Sequence, residues 1–411
     1  MTSKNSETHR AVVVAPFSSA ESPADRARTV ATALARSMPV DLITSDFDHL
    51  RKCKGLSRPG APFEKVTLLS TMGYQSNVSA RRLISHLLFA FRASAHFWRI
   101  RREYDTVYVT LPLNLTAWLI LTLAGSRKKI VDIVDIWPDV LPFSQRVKLA
   151  FRPVLSIWRQ LFKASVRKAD MVMAVSNSFL SEARRCARRD ARMQRFYIGQ
   201  DPLKSSSPKQ STFTLAFVGN LGRLYDFETL LDVLSGNDMR QSVQLFLIGD
   251  GDRKDWLLAE LGRRGISYQY WGVVYDPLQL APILRSCHAG FNGYTRTTAS
   301  FSYKACTYLA AGLPLLNSMK GDLETLVSEN DLGENYESGS RQQLREALHR
   351  LRNGRLESKA RNCEEFFVSM IQRDRVLDQM EEFLIGVSQQ EPASAQHPTY
   401  DREPATRSET T

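Results

Sequence analysis

TLAFVGNLGRLYDFETLLDVLS, residues 214–235, decides the fold. An apolar run from Leu215 to Val218 stops at Gly219, and residues from about 226 to 235 then recur with the spacing of an amphipathic helix. VQLFLIGDGD at 243–252 repeats the strand and its Gly-rich turn, and ISYQYWG (266–272), HAGFNGY (288–294) and LPLLNS (313–318) extend the series. Helical segments are expected between them, at about 252–264, 277–286 and 302–311. Strands alternating with helices read as βαβ units around a parallel sheet.

The first half has the same rhythm. AVVVAPF (11–17), VDLIT (40–44), KVTLL (65–69), YDTVYVT (104–110), KKIVDIVD (128–135) and MVMAVS (171–176) read as strands, with helices over 25–37, from Ser79 to Arg102 and over 113–124. DPLKSSSPKQST at 201–212 separates the two series. A chain of 411 residues is long enough for two cores. The expected units are 10–204 and 212–365, then a helix at 366–388 that packs back on the first unit, and a disordered tail at 389–411.

Composition narrows the function classes. The net charge of +12 is unevenly spread: residues 1–205 carry 33 Lys or Arg against 16 Asp or Glu, and residues 206–411 carry 22 against 27. Such a field attracts an anionic surface or partner to the first half. Neither zinc-finger spacing nor an RNP-like aromatic strand is present, so no nucleic-acid partner is expected. The five cysteines form no CxxC pair and read as cytosolic thiols, and there is no HExxH, GxSxG or Walker motif. Residues 1–9 lack the apolar core of a signal peptide, and LPLNLTAWLILTLAG at 111–125 is too short to span a bilayer. It is expected to be a buried crossover helix.

Ligands of open parallel sheets bind beyond the C-terminal ends of the strands. Gly219, Asn220, Gly222 and Arg223 follow one such end, with Arg223 a candidate for an anion, and Gly249 and Gly251 follow the next. In SFSYKACTYLAAGLPLLNS at 300–318, Ser302 and Lys304 start a helix and are candidate diphosphate donors, or a helix cap and a solvated cation. Gly321 and Asp322 fall in a later loop, facing a sugar hydroxyl or forming an ordinary turn. Asp135 and Asp139 in VDIVDIWPDVLPF at 131–143 can receive a proton from an incoming hydroxyl, or act as caps; Asp132 carries less weight.

Two helices are basic on one side. Over 81–102, Arg81, Ser85, Arg92, His96 and Arg99 share a stripe, with Ile84, Leu87, Leu88, Phe91, Ala95 and Trp98 on another. Over 146–168, Lys148, Arg152, Arg159, Lys163 and Arg167 align, with Leu155, Ile157, Trp158, Leu161 and Phe162 outside that stripe. Both fit an anionic membrane surface.

The chain resembles the GT-B glycosyltransferases, specifically retaining glycosyltransferase family 4 and its bacterial surface-polysaccharide members, over roughly residues 10–385. DIWPD at 135–139, RKADMVMAVS at 167–176 and GNLGR at 219–223 carry the resemblance, and SYKACTYLAAG at 302–312 matches in part. It implies an α/β chain of two Rossmann-like doubly wound domains facing a central cleft, the first binding acceptor and membrane, the second the donor. It also implies that Arg223, Lys304 and adjacent amides hold the donor diphosphate, that Gly249 and Gly251 shape the nucleotide pocket, and that Asp322 stands near the sugar. The family's ribose-holding Glu falls at Thr307, and its partner at Ala299, so neither carboxylate is present.

The implied reaction is retaining transfer from a nucleotide diphosphate sugar, with no cofactor and no metal, to a polyprenyl-diphosphate-linked glycan in exopolysaccharide synthesis. The enzyme would be peripheral on the cytoplasmic face of the cell membrane, with a possible partner glycosyltransferase. A catalytically degenerate GT-B subunit and a soluble nucleotide-sugar epimerase are the alternatives.

Overall fold

The computed structural model describes residues 9–18, 25–49, 51–55, 59–76, 79–137, 149, 151–295 and 300–386. Asp139, Lys148, Ala299 and the 389–411 tail lie outside them.

The first sheet has seven parallel strands: β1 (Ala11–Val14), β2 (Val40–Ser45), β5 (Val66–Leu69), β6 (Thr106–Leu111), β7 (Lys128–Ile133), β8 (Met171–Ala174) and β9 (Arg192–Arg195). Their order is β5-β2-β1-β6-β7-β8-β9, and the small hairpin of β3 (Phe47–Asp48) and β4 (Cys53–Lys54) follows β2. Both faces of the inner strands are covered, which is why β1 (AVVV) and β8 (MVMA) are continuously apolar, whereas the edge strand β9 (RMQR) is half-exposed. Val12, Val14, Val107, Val109 and Val131 pack under Ala80–Ile100, Asn114–Leu123 and Arg152–Lys168. Ala11, Val13, Tyr108, Ile130 and Met171 pack on the other side.

That second side is closed by Arg26–Ala35 and by the helix Arg373–Ile385, whose Val376, Met380 and Phe383 enter the same core. Arg36 pairs with Asp378 at 2.8 Å and Glu381 at 2.6 Å along this junction. Beneath it Asp132, fully buried, accepts from Arg26 Nε at 2.7 Å and from the Tyr108 hydroxyl at 2.8 Å. A buried carboxylate persists when paired and hydrogen-bonded in this way, so Asp132 is a scaffold residue.

The second sheet orders β12 (Tyr268–Gly272), β11 (Val243–Ile248), β10 (Phe213–Val218), β13 (Ala289–Asn292), β14 (Leu315–Asn317) and β15 (Gly333–Asn335), all parallel. The direction of strand addition reverses at β1/β6 in the first sheet and at β10/β13 in the second. These are the topological switch points at which such sheets bind ligands.

The basic helix Ala80–Ile100 sits with Ser85, Phe89, Ala90, Ala93, Ser94 and Phe97 inward. Ser85, placed by sequence on the basic stripe, is therefore buried, and Ile84, Leu87, Phe91 and Trp98 face outward beside Arg92 and Arg99. Small residues let the helix lie close to the sheet, and the larger apolar ones are left exposed. In Arg152–Lys168, Leu155 and Phe162 are inward and Val154 and Ile157 outward. Both helices pack against Asn114–Leu123, so their outer faces lie on one side of the molecule. Among the described residues no helix is long and apolar enough to cross a membrane.

Candidate active site

The second switch point is built on backbone proximity. Gly219 follows β10 with φ +125°, and Gly249 follows β11 with φ +135°. The Gly219 amide donates to Ile248 O at 2.8 Å and the Leu221 amide to Asp250 O at 2.9 Å, so the two turns lie back to back. A Cβ on Gly249 would collide with the Gly219 carbonyl, and one on Gly251 with the Leu221 backbone. These glycines are thus required by the contact between turns, whatever else they meet.

Lys304 lies in the first turn of Tyr303–Ala310. It is 7% exposed, and its Nζ sits 3.4 Å from the Tyr225 ring centroid, 3.9 Å from Phe217 and 5.5 Å from Tyr294. A Cβ on Gly219 would be 3.6 Å from that Nζ, which places the amine against the 219 turn. Nζ has no hydrogen-bond partner among the described residues. Burial pulls its pKa well below the ordinary lysine value. An aromatic cage favours a cation, and an anion is what it lacks.

The neighbouring polar groups are occupied. The Ser302 hydroxyl accepts from the Ala305 amide at 3.1 Å as the helix cap and donates to Asn292 Oδ1 at 2.9 Å. Thr307, buried, donates back to Tyr303 O at 3.2 Å. Asn292, Asn317 and Asn335 end three paired strands and bond side chain to side chain at 2.8 and 2.7 Å, bracing the strand ends. The Tyr308 hydroxyl bridges the switch point, accepting from the Val218 amide at 3.0 Å and donating to Phe291 O at 3.2 Å. Asn220 is exposed, Gly222 buried. Arg223, with its side chain 84% exposed, is 3.7 Å from Asp252 and has the freedom to swing towards an anion.

Asp322 lies at the junction of the two units. Its carboxylate accepts from the Asn177 amide at 2.5 Å, the Ser178 amide at 3.1 Å and the Ser178 hydroxyl at 2.9 Å. It thus caps Asn177–Arg184, a helix of the first unit, and clamps the two sheets' units together. Tyr197 stacked on Phe301, centroids 4.3 Å apart, joins the same junction.

On the first unit, the Asp135 carboxylate accepts from the Ile136 amide and from Trp137 Nε1, each at 3.0 Å. Burial raises its pKa, while those two bonds and the Arg82 charge oppose the rise. Asn114 Nδ2 donates to Trp137 O and Trp158 O, both at 3.1 Å, which fixes this strand end. Sequence reasoning missed the cage of Phe217, Tyr225 and Tyr294. The only sequence signal was aromatic residues just before and after strand ends. A basin at the far edge, lined by Glu334, Arg350 and Lys359, is internally neutralised, with Arg350 2.7 Å and Lys359 3.2 Å from Glu334.

No family model matches the chain, and no curated protein matches it. Solved structures do. HepE of Anabaena in complex with UDP-glucose aligns with a TM-score of 0.63 at 16% identity, covering 92% of this chain and 100% of that one. Sucrose-phosphate synthase of Thermosynechococcus elongatus aligns at 0.66 and 15% identity, covering 92% and 98%. The lipopolysaccharide outer core galactosyltransferase WaaB, apo form, aligns at 0.61 and 14%, covering 92% and 99%. At these identities the likeness is one of architecture. With two parallel sheets, a switch point in each and this end-to-end alignment, the chain has the fold of the GT-B glycosyltransferases.

Proposed function

We propose that the chain is a retaining glycosyltransferase that moves a sugar from a nucleotide diphosphate sugar to a polyprenyl-diphosphate-linked saccharide at an anionic membrane surface. The observation that carries the reading is Lys304, a buried amine in an aromatic cage at a switch point, with no hydrogen-bond partner among the described residues. A donor diphosphate supplies the missing counter-charge. Arg223 closes on it from solvent, and first-turn amides of Tyr303–Ala310 add their dipoles. As the sugar–oxygen bond breaks, charge grows on the departing phosphate oxygen beside Lys304. That oxygen takes the acceptor proton on the same face, and Asp135 orients the hydroxyl. UDP is the donor portion to test first, because the HepE complexes contain UDP-glucose and UDP.

The outward face of the first unit supports a membrane-bound acceptor. Phe91, Trp98, Val154 and Ile157 are exposed beside Arg92, Arg99 and Lys163, a mixture suited to insertion among anionic headgroups. On this reading the enzyme works at the cytoplasmic face of the cell membrane. A second reading, a GT-B subunit that no longer transfers sugar, is favoured by Thr307, whose hydroxyl is committed within its helix where a ribose-holding carboxylate is expected. Calorimetry separates them. UDP binding that weakens in Lys304→Ala and in Arg223→Ala supports the donor site. Absence of UDP, ADP and GDP binding to the wild type favours the degenerate subunit.

A further inference from the structure

Asn114 opens the helix Asn114–Leu123 just beyond the end of β6, and it is 1% exposed. Its Nδ2 donates to carbonyls of two other elements: Trp137 O, in the loop after β7, and Trp158 O, midway along Arg152–Lys168, each at 3.1 Å. Two carbonyl acceptors settle which end of the amide carries nitrogen. The Ser165 hydroxyl, on the same helix as Trp158, closes the contact by reaching Asn114 O at 3.4 Å as well as Leu161 O at 2.8 Å. Asn114 Oδ1 has no hydrogen-bond partner among the described residues. A buried amide with an unpaired oxygen costs stability that an apolar side chain in its place would not. What the residue contributes is therefore its two donors.

Those donors hold the surroundings of Asp135. The Trp137 indole N–H donates to Asp135 Oδ2 at 3.0 Å, and the Ile136 amide donates to Oδ1 at 3.0 Å. The Trp137 ring stands edge-to-face with Trp158, centroids 5.8 Å apart, and His86 stacks on it at 5.7 Å. One residue, Trp137, thus connects Asn114 to the carboxylate. On the far side, Arg152–Lys168 turns Val154 and Ile157 outward. A hydroxyl carried on a lipid is presented at a height fixed by the bilayer, so a carboxylate that orients it must keep a fixed place relative to the surface that meets the bilayer. The charge that acts on Asp135 is Arg82, from Ala80–Ile100; His86, lowered to about 3 chiefly by burial, is neutral near pH 7, and Asn114–Leu123 carries no charged residue.

We infer that Asn114 is a positioning residue for the acceptor: it ties Trp137, and through the indole the Asp135 carboxylate, to the helix whose outer residues meet the membrane. The acceptor and membrane roles rest on the proposed transfer; the hold of Asn114 on Asp135 does not. The test reads Asp135 directly, by carbon NMR titration of the full chain labelled at its aspartate carboxyls, with the Asp135 signal identified by its loss in Asp135→Asn. The indole bond favours the ionised carboxylate. Trp137→Phe, which keeps a ring and removes the N–H, therefore raises the Asp135 titration by about 1 pH unit. Asn114→Leu, which keeps a γ-branched shape and removes both donors, raises it similarly, and the double variant goes no further than Trp137→Phe alone. On a lipid-borne acceptor Asn114→Leu lowers kcat by about 10-fold or more, UDP affinity keeps its wild-type value, and the acid limb of the rate moves up with the titration.

If Asn114→Leu fails to fold, Asn114→Ser, too short to reach both carbonyls, carries the same test. An unmoved Asp135 titration in the folded Asn114 variant overturns the inference. So does a double variant shifted by the sum of the two single changes, because Asn114 then acts by a route other than the indole. A lowered kcat with the acid limb unmoved marks a merely structural residue and overturns it as well. A wild type that binds UDP and labels no lipid, with the titration shifts as expected, removes the transfer reading and leaves the hold of Asn114 on Asp135 standing.

Discussion

Replacing Lys304 by Met separates stability from function at one atom. In the free protein Nζ is buried, unpartnered among the described residues, and 3.4 and 3.9 Å from two ring centroids. An unsatisfied buried polar group costs about 1–3 kcal/mol, more when charged, and cation–π attraction returns about 0.5–2 kcal/mol. Met keeps the length and the aromatic contact without the charge. Lys304→Met should therefore stabilise the free protein by about 1–2 kcal/mol, at roughly 2–4 °C of melting temperature per kcal/mol. The same change removes a charged hydrogen bond to the diphosphate, about 1.5–3 kcal/mol or roughly 10–150-fold in UDP affinity.

The pH dependence follows in sign. The folded Lys304 releases its proton at lower pH than the unfolded one, because burial lowers its pKa. Between the two values the unfolded chain binds more protons, so wild-type stability rises with pH through that window, and the Met variant lacks this rise. Thermal melts with and without UDP, plus calorimetry, measure all three effects. A Met variant that is less stable than wild type and binds UDP equally well would show that Nζ neither destabilises the free protein nor meets the diphosphate.

Three further outcomes are expected. Asp322→Ala should cost about 2–3 kcal/mol by removing charge-assisted bonds to a helix start; amide hydrogen exchange at Asn177 and Ser178 should rise, and Asp322→Asn should recover part of the loss. With His49 and His86 lowered to about 4 and 3, the unfolded imidazoles bind protons first as pH falls below about 6.5. Stability should decline from there towards about 4, less steeply in His86→Gln, as followed by denaturant melts. In liposome sedimentation, Phe91→Ser, Trp98→Ser and Ile157→Ser together should abolish the salt-resistant part of binding, and Glu at Arg92, Arg99, Arg159 and Lys163 the salt-sensitive part; wild type indifferent to anionic vesicles at low salt removes the membrane reading.

The two parallel sheets were legible because strands buried on both faces must be continuously apolar, as in AVVV and LAFV, and because turns such as Gly219 and Gly249 need glycine for close approach. Lys304 was legible as the start of a helix. Its cage was not, since Phe217, Tyr225 and Tyr294 are brought together only when β10 and β13 lie side by side. Stripe arithmetic on Ala80–Ile100 distinguishes faces but does not say which one meets the sheet; the small Ala90, Ala93 and Ser94 decide that, and they leave Phe91 and Trp98 outside. The bonds that Asp322 accepts from the start of Asn177–Arg184 were not legible, because a cap for a helix remote in sequence has no local signature. His49 and His86, far apart in sequence, meet around the Tyr74 ring only in the fold.

Sugar transfer is measured directly as turnover of radiolabelled nucleotide sugars by the purified chain on a membrane glycolipid extract. Labelled glycolipid is expected from at least one donor, lost in Lys304→Met and reduced in Asp135→Asn with donor affinity kept. A folded wild type that binds UDP yet labels no lipid with any nucleotide sugar contradicts it.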